Sequence, residues 1–389
     1  MRVLLIAFIV LTITTLPAMA DTLTVDGNGG ADYRSIQQAV NNATSGDTIL
    51  VYPGNYTESV YINKKLTMLS KSGNPADTIV NAAITSDSWL VETDDVFNVN
   101  ADGVVISGFS MTGATIDEFG MDQAGVHLDR AHNCTIRNNY MSNNEGILLT
   151  QSDNNILANN NITGNKLNGI SLRQSSNNTI EKNRVNANGQ EGILLYSLCN
   201  NNTIKNNSVS FNRVYGMTVI AYCNDNVFEG NILSDNGVGI AVDTNNASLF
   251  SNTAVANSDV GIMVTGKHNL INNNTATSNP TGILLNHARN CTVKHNLALN
   301  NGNGIYLMKS TGNELNNNNA SNNSKYGIYI KNSSKQNVLI SNIAFSNEEE
   351  NIYIEDMKNN TIRDEERVPF MSPLFSCLLL LVVYLMQRK

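Results

Sequence analysis

Residues 146–195 read GILLTQSDNNILANNNITGNKLNGISLRQSSNNTIEKNRVNANGQEGILL and contain the repeat that decides the fold. A glycine followed by an aliphatic residue opens each copy, at Gly146, Gly169 and Gly192. Ten such pairs follow one another along the chain at intervals of 21 to 24 residues, with one further copy in which asparagine replaces the glycine. Repeats of this length indicate a solenoid built from stacked supersecondary units.

Each copy contains three short segments with the pattern of a strand. Ile147 and Leu149 alternate with outward residues, as in a half-buried strand, and further strands are expected near Leu157 and Ile162. The sequence therefore predicts an all-β fold, a right-handed single-stranded parallel β-helix over residues 21–365. Three strands per coil of about 22 residues give roughly 12 or 13 coils. An amphipathic segment within 33–43 predicts a helix that caps the core.

Asparagine is the most unusual component, with 65 of 389 residues. Ten asparagines share one place in consecutive copies: Asn139, Asn160, Asn183, Asn207, Asn231, Asn252, Asn274, Asn296, Asn318 and Asn342. Asparagine tolerates left-handed backbone conformations, so this place predicts the sharp bends between strands. Stacked at the strand spacing of about 4.8 Å, the side chains also predict a hydrogen-bonded ladder.

Composition excludes two classes of protein. The formal net charge is −8, only 15% of residues are charged, and no Lys/Arg block is present, so we expect no nucleic-acid partner. Hydrophobic residues make up 41% of the chain, which is too many for a disordered one.

Both ends of the sequence predict export. A basic start, an apolar stretch and the small-residue site Ala18-Met19-Ala20 are typical of a signal peptide over residues 1–20. Residues 366–389 contain an apolar stretch of about 19 residues before a basic end, which predicts a membrane anchor or a processed sorting segment. We therefore expect a protein of the cell surface or periplasm, anchored by its C-terminal hydrophobic segment.

Two segments resemble a known family. Residues 35–69, which include Gly46-Asp47-Thr48-Ile49, look like the opening of pectin-lyase-like β-helices. Asp102-Gly103-Val104-Val105-Ile106-Ser107-Gly108-Phe109 and the Gly-Ile and Asn-Thr-Ile coils resemble the NosD-type β-helix, also called the carbohydrate-binding and sugar-hydrolase domain. The resemblance covers nearly all of residues 22–365. It implies the fold, and a range of roles that runs from lyases, hydrolases and epimerases to surface proteins and periplasmic copper delivery.

One group of ionisable side chains has the composition of a catalytic site. Asp122, Asp129, Arg130 and His132 lie beside an insertion in the repeat. Polysaccharide chemistry needs paired carboxylates or general acid–base groups in one cleft. The motifs typical of polygalacturonases and alginate epimerases are missing, however. The sequence therefore favours a protein that is not an enzyme and leaves a catalytic role for these residues as the alternative.

The sequence predicts no metal site and identifies no cofactor, although it excludes neither copper nor calcium. The five histidines lack H-x-x-H spacing and the cysteines lack C-x-x-C spacing. Cys199 and Cys223 each lie seven residues after the glycine of their copy, so adjacent coils stack them about 4.8 Å apart. Two alternatives stay open for this pair, a disulfide or two reduced thiols.

Tyr306, Tyr329 and Tyr353 share one outward offset in the last copies. Such a stripe predicts either a surface that binds a polysaccharide or glycan, or a ladder that packs only on itself. Fourteen Asn-x-Ser/Thr sequons are also present, among them Asn133 and Asn290, and they predict some glycosylation in an exported protein.

The leading hypothesis is an extracellular, membrane-tethered β-helix with a structural or carbohydrate-binding role. One alternative is a polysaccharide-active enzyme, a lyase, hydrolase or epimerase of the pectin-lyase-like fold. The other is a NosD-like periplasmic accessory protein that handles copper.

Overall fold

The structure is a computed structural model that describes residues 20–83, 95–114, 123–331 and 333–363. Asp122, the predicted anchor at 366–389 and all but the last residue of the predicted signal peptide therefore lie outside the described residues. Within those ranges no helix has the length and apolar character needed to cross a bilayer. The described chain divides into unit 1, which ends at Ala247, and unit 2, which begins at Ser248.

The described residues of unit 1 form one helix and 25 short strands. The helix is α1 (Ile36–Asn42), and the strands are β1 (Thr22–Val25), β2 (Thr48–Val51), β3 (Gly54–Thr57), β4 (Val60–Ile62), β5 (Thr67–Ser70), β6 (Thr78–Asn81), β7 (Phe97–Val99), β8 (Val105–Ser107), β9 (Ser110–Thr112), β10 (Ala124–Asp129), β11 (Thr135–Arg137), β12 (Tyr140–Ser142), β13 (Glu145–Thr150), β14 (Ile156–Ala158), β15 (Asn161–Thr163), β16 (Ile170–Arg173), β17 (Thr179–Glu181), β18 (Arg184–Asn186), β19 (Ile193–Tyr196), β20 (Thr203–Lys205), β21 (Ser208–Ser210), β22 (Tyr215–Ile220), β23 (Val227–Glu229), β24 (Ile232–Ser234) and β25 (Val238–Asp243).

These strands form three parallel sheets. Sheet A1 has the order β1-β2-β5-β8-β11-β14-β17-β20-β23, sheet B1 the order β3-β6-β9-β12-β15-β18-β21-β24, and sheet C1 the order β4-β7-β10-β13-β16-β19-β22-β25. From β2 onward every third strand is a neighbour, because each coil contributes one strand to each sheet, whereas β1 pairs directly with β2. The predicted right-handed parallel β-helix is confirmed.

Unit 2 repeats this arrangement. Its strands are β26 (Ser248–Phe250), β27 (Thr253–Val255), β28 (Val260–Thr265), β29 (Leu270–Asn272), β30 (Thr275–Thr277), β31 (Thr281–Asn286), β32 (Thr292–Lys294), β33 (Leu297–Leu299), β34 (Asn303–Met308), β35 (Glu314–Asn316), β36 (Ile328–Lys331), β37 (Val338–Ile340), β38 (Ile352–Ile354) and β39 (Thr361–Arg363). Sheet A2 has the order β26-β29-β32-β35-β37-β39, sheet B2 the order β27-β30-β33, and sheet C2 the order β28-β31-β34-β36-β38. The strands of the described residues make about fourteen turns, compared with the 12 or 13 predicted.

The core consists of stacked aliphatic side chains. Ile147, Ile170 and Ile193 of sheet C1 pair in register and are fully buried, as are Leu157 of sheet A1 and Ile162 of sheet B1. Each coil therefore buries its inward face mainly against its two neighbours, which is how solenoids obtain their stability. The helix α1 closes the N-terminal end as predicted, since its apolar residues are buried and it contacts β1, β2 and β4.

The predicted asparagine ladder is present and buried. The backbone N–H of Asn139 donates to Asn160 Oδ1 at 3.1 Å, and Asn160 Nδ2 donates to the carbonyl of Ile136 at 2.9 Å. The same bonds continue to Asn231 in unit 1 and run from Asn252 to Asn342 in unit 2. Side-chain amides thus satisfy backbone groups that the bends remove from the sheets.

Two further ladders occupy the other bends, and the sequence analysis missed them. One runs through Asn143, Asn165, Asn188, Asn212 and Asn236 in unit 1 and through Asn257, Asn279, Asn301, Asn323 and Asn347 in unit 2. The other runs through Asn155, Asn178, Asn202 and Asn226 in unit 1 and through Asn313, Asn337 and Asn360 in unit 2. Their regular spacing was the available signal.

The left-handed residue of each bend is a different one from that predicted. Asn138, Asn159 and Asn206 have φ of 55°, and each directly precedes a ladder asparagine. The left-handed residue points outward and the ladder residue points inward. Bend and ladder therefore need two consecutive residues, which explains the many Asn-Asn pairs in the sequence.

Candidate functional site

Sheets C1 and C2 have the longest strands, so their outward sides are the widest ordered faces of the fold. Their strands run up to six residues, compared with three for most strands of the other sheets. One outward row of C1 is His127, Leu148, Ser171, Leu194 and Thr218 in register. On C1 much of this face is buried, since Leu148, Ser171 and Thr218 are at most 4% exposed. The matching row of C2 contains Leu284, Tyr306, Tyr329 and Tyr353. The two faces therefore differ in chemistry on the same backbone.

A buried carboxylate organises part of the C1 face. The side chain of Asp95 is 1% exposed, and its Oδ2 lies 3.1 Å from His127 Nδ1 and 3.0 Å from Asn98 Nδ2. Asp95 Oδ1 accepts from the backbone N–H of Ala124 at 2.7 Å. His127 Nε2 lies 3.1 Å from Thr150 Oγ1. Asp95, Asn98, His127 and Thr150, here called the Asp95 network, form a carboxylate–imidazole–hydroxyl chain across neighbouring coils.

A second carboxylate lies on the same face. Glu145 is 1% exposed, and its Oε2 accepts from Ser171 Oγ at 2.6 Å while its Oε1 accepts from Asn168 Nδ2 at 3.1 Å. Glu191 follows Asn168 one coil later, and burial raises the pKa of its carboxyl. Buried carboxylates with several hydrogen bonds indicate a preorganised polar network.

The structure brings together only part of the predicted catalytic group. Arg130 Nη2 donates to Asp129 Oδ2 at 2.6 Å, so these neighbours in sequence pair with each other. His132 lies in the bend that follows β10. Its Nδ1 accepts from the backbone N–H of Asp153 at 3.0 Å, and its backbone N–H donates to Asp102. Asp122 is not among the described residues. The catalytic role of these residues stays a prediction.

The predicted tyrosine stripe lies in register on the C2 face, and a fourth tyrosine joins it. The ring centroids of Tyr306 and Tyr329 are 4.8 Å apart and stacked. Tyr326, which the sequence analysis missed because it lies at a different offset, stacks on Tyr329 at 4.2 Å with an interplanar angle of 6°. The ring of Tyr353 lies 5.4 Å from Tyr329 at an angle of 57°. These four half-buried residues are called the tyrosine cluster.

Charged side chains border the tyrosine cluster. Glu349 accepts a hydrogen bond from the hydroxyl of Tyr326, which raises the pKa of Tyr326 to about 12. Lys331 Nζ lies 5.8 Å from the ring centroid of Tyr329, and a hydrogen bond with the Tyr329 hydroxyl raises the pKa of Lys331. The cluster thus presents ring edges and hydroxyls between one cation and several carboxylates.

A separate groove of about 740 Å³ lies beside sheet B1. Its lining includes Pro75, Ile79, Tyr140 and Asn161 and contains no ionisable group other than the tyrosine. A groove of this composition suits a neutral ligand.

Cys199 and Cys223 are free thiols in the structure, which is the second of the two alternatives left by the sequence. They extend a row of inward serines, since the N–H of Ser175 donates to Cys199 Sγ at 3.4 Å and the N–H of Cys199 donates to Cys223 Sγ at 3.1 Å. A hydrogen bond between the thiols lowers the pKa of Cys199 and raises that of Cys223. In-register stacking separates Cβ atoms by about 4.8 Å, which is more than a disulfide prefers, and the disulfide alternative stays a prediction.

Solved structures of the pectin-lyase-like β-helix fold are similar to this chain. The mannuronan C-5 epimerase AlgE6 A-module from Azotobacter vinelandii has a TM-score of 0.61 at 16% identity, over 86% of this chain and 95% of that chain. The catalytic unit of a GH87 α-1,3-glucanase from Streptomyces thermodiastaticus has a TM-score of 0.62 at 12% identity, over 90% and 69%. Bacteriophage phi29 gene product 12 reaches a TM-score of 0.67 at 15% identity, over 81% and 51%. Identities this low show the fold alone.

The chain belongs to the NosD family. The model of that family, described as periplasmic copper-binding protein (NosD), matches residues 40–250 and 229–365. A cell surface glycoprotein of Methanothermus fervidus is 28% identical over 142 residues, which are 36% of this chain and 20% of the relative. The chain therefore spans about a fifth of the length of the curated relative it matches.

The described residues do not fit a copper ion. Across 20–83, 95–114, 123–331 and 333–363, no three His, Cys, Asp or Glu side chains converge to hold a metal. Both ring nitrogens of His127 already contact Asp95 and Thr150. Burial raises the pKa of the Cys134 thiol to about 11, which disfavours the thiolate that a metal binds.

Proposed function

We propose that this protein is an exported β-helix of the cell surface that binds a glycan through the tyrosine cluster. The observation that carries the proposal is the packing of Tyr306, Tyr326, Tyr329 and Tyr353 against one another on an outward face. The relationship to a cell surface glycoprotein and to a family described as periplasmic supports export.

The physical argument for glycan binding is preorganisation. The exposed edges of the packed rings offer apolar contact area to a sugar, and the tyrosine hydroxyls add hydrogen bonds. Because the rings of Tyr326 and Tyr329 already hold each other at 4.2 Å, little side-chain freedom remains to be lost on binding. Lys331 and Glu355 at the edge supply a donor and an acceptor for sugar hydroxyls.

Binding is tested with a glycan array and then by titration of the best glycan. In the triple variant Tyr306→Ala, Tyr329→Ala, Tyr353→Ala we expect a loss of affinity of at least tenfold with unchanged circular dichroism. Tyr140→Ala, which removes the tyrosine of the groove beside B1, is the matched control and should keep its affinity. Unchanged binding in the triple variant, or loss in Tyr140→Ala alone, contradicts the proposal.

Export and tethering form a separate part of the proposal. A signal peptide over residues 1–20 and a C-terminal hydrophobic segment support attachment of the mature chain outside the cell. Fractionation and intact mass should find a surface-bound chain that begins at Asp21. A cytoplasmic chain that retains Met1 contradicts this part.

A polysaccharide-active enzyme is the second candidate, and the Asp95 network is the observation that favours it. A carboxylate that orients an imidazole, which in turn reaches a hydroxyl, is an arrangement used in acid–base catalysis. His127 is 16% exposed and is the group best placed to meet a substrate. A depolymerisation and epimerisation assay with His127→Gln and Asp129→Ala distinguishes this candidate, since only an enzyme would show an activity that His127→Gln abolishes.

A further inference from the structure

Nine of the fourteen Asn-x-Ser/Thr sequons begin at the residue directly before a ladder position, whereas the other five begin at Asn42, Asn55, Asn161, Asn319 and Asn332. In the ladders that precede a B strand or an A strand, the asparagine is followed two residues later by an inward apolar residue, as Asn160 is by Ile162, so these asparagines do not begin a sequon. The residue before a ladder residue is followed two residues later by an outward strand residue, which is often threonine. The alternation of the fold therefore assigns the acceptor asparagines to its solvent side.

In four of these sequons, which lie between a C strand and the next A strand, all three residues belong to one unit and the acceptor has a positive φ. Asn246 and Asn359 begin further sequons between a C strand and an A strand. The four corner sequons are Asn133-Cys134-Thr135, Asn177-Asn178-Thr179 and Asn201-Asn202-Thr203 in unit 1, and Asn290-Cys291-Thr292 in unit 2. Their acceptor asparagines have φ between 51° and 59°. The four sequons thus have the same backbone geometry.

Each corner sequon separates an exposed acceptor from a buried middle residue. Asn133, Asn177, Asn201 and Asn290 are exposed, whereas the middle residues are at most 1% exposed. The threonine at the third place is outward and half-exposed. A bulky group on the acceptor amide would therefore extend into solvent without disturbing the ladder.

We propose that the corner sequons carry N-linked saccharides. In the transfer, the amide Nδ2 of the acceptor forms a bond to C1 of a saccharide activated as a polyprenyl phosphate. The bond from C1 to the phosphate oxygen breaks, the lipid phosphate leaves with the electron pair, and a base of the transferase takes the amide proton. The modification adds saccharides to the same type of bend in each unit.

Saccharides on corner sequons of adjacent coils would compete for space. The N–H of Asn177 donates to the carbonyl of Asn200, the residue before Asn201, at 3.0 Å, so the two acceptors lie in adjacent coils about 4.8 Å apart. A saccharide is wider than this spacing. We therefore expect one of the two sites, and not both, to be occupied in any single chain.

The inference rests on the proposed export, but not on glycan binding. The full chain is produced in a host that exports it and has an N-glycosylation pathway, and surface-bound protein is analysed by glycopeptide mass spectrometry. Asn154 is an internal control, because it is exposed in the same bend with φ of 59° but has Ile156 at the third place. Thr292→Val and Thr292→Ser form a matched pair at Asn290, whose neighbouring corners, His268 and Gly312, carry no sequon.

We expect saccharide mass on Asn133, on Asn290 and on either Asn177 or Asn201, and none on Asn154. Thr292→Val should abolish the mass on Asn290 and Thr292→Ser should retain it. Exported protein without saccharide at these four residues, or with saccharide on ladder asparagines, overturns the inference and leaves the proposed export intact. Protein that stays in the cytoplasm overturns both.

Discussion

The outward faces of C1 and C2 have the same strand geometry and opposite chemistry. On C1, Asp95 and Glu145 are 2% and 1% exposed, and their oxygens accept hydrogen bonds from neighbouring coils. On C2, four half-exposed tyrosines pack on one another. The inward faces of both are rows of isoleucine, leucine and valine.

This difference separates what the scaffold requires from what function can vary. Inward aliphatic residues and ladder asparagines recur in both units because each coil needs them. Outward residues of the C sheets have no such requirement. They are therefore where two units of one fold can acquire different chemistry.

Replacing a ladder asparagine should cause the largest loss in the free energy of unfolding, and the loss should be equal in the two units. Asn207 and Asn296 each donate to two carbonyls and to the next ladder oxygen, and each accepts from the preceding asparagine. Substitution by alanine leaves these groups buried and unsatisfied, so Asn207→Ala and Asn296→Ala should each lower the free energy of unfolding by about 3 kcal/mol. Urea unfolding followed by circular dichroism measures this. A large effect in only one unit would show that the ladders are not equivalent.

The next largest loss in the free energy of unfolding should differ between the outward faces of C1 and C2. Asp95→Ala removes the acceptor for Asn98 and for the backbone N–H of Ala124, and should cost about 2 kcal/mol. Tyr329→Ala removes ring contacts that remain partly hydrated and should cost about 1 kcal/mol. The same unfolding experiment compares them. If Tyr329→Ala costs more than Asp95→Ala, the tyrosine cluster is chiefly a packing device.

A smaller effect is expected where unit 1 has cysteine and unit 2 has serine. The N–H of Ser310 donates to Ser334 Oγ at 3.1 Å, the same contact that Cys199 makes with Cys223 Sγ. Cys199→Ser and Cys223→Ser should therefore change the free energy of unfolding by less than about 1 kcal/mol. As a check on the thiols, alkylation without reductant should label both cysteines after denaturation and neither before it. Protection after denaturation would establish the disulfide.

The smallest effect concerns Tyr326. Its pKa is about 12 in the folded chain, compared with an ordinary value of 10.0, so the unfolded chain releases this proton first. The contribution of Tyr326 to stability is complete below pH 10 and is lost between pH 10 and pH 12. The difference in ultraviolet absorbance between the protein and Tyr326→Phe reports this titration. In Glu349→Gln the pKa of Tyr326 should move toward 10, and an unchanged value would exclude Glu349 as the cause.

The repeat made the scaffold predictable. Gly146, Gly169 and Gly192 set the coil length, and the alternation after each glycine identified the inward residues, which the structure confirms. The register of Tyr306, Tyr329 and Tyr353 followed from the same spacing. The contact of Tyr326 with Tyr329 was not predicted, because Tyr326 lies at a different offset in the coil.

The Asp95 network was beyond the reach of the sequence. Asp95 and His127 are 32 residues apart, which is longer than any interval of the regular repeat, and the chain between them contains an insertion. Spacing alone could not place them in contact. Closeness in sequence suggested a shared site for Asp129, Arg130 and His132. His132 lies in the bend after β10, however, and contacts Asp102 and Asp153 instead.

The direction of the ladder bonds has a consequence for how such a chain reaches its folded state. The N–H of each ladder asparagine donates to the side chain of the following coil, as Asn139 does to Asn160. Each finished coil thus leaves one set of donors open at its C-terminal side, and the next coil to arrive satisfies them. If such a chain crosses a membrane with its N-terminus first, each coil can add to the one before it. The helix α1 then covers the N-terminal end, and only the most recently added coil has unsatisfied donors.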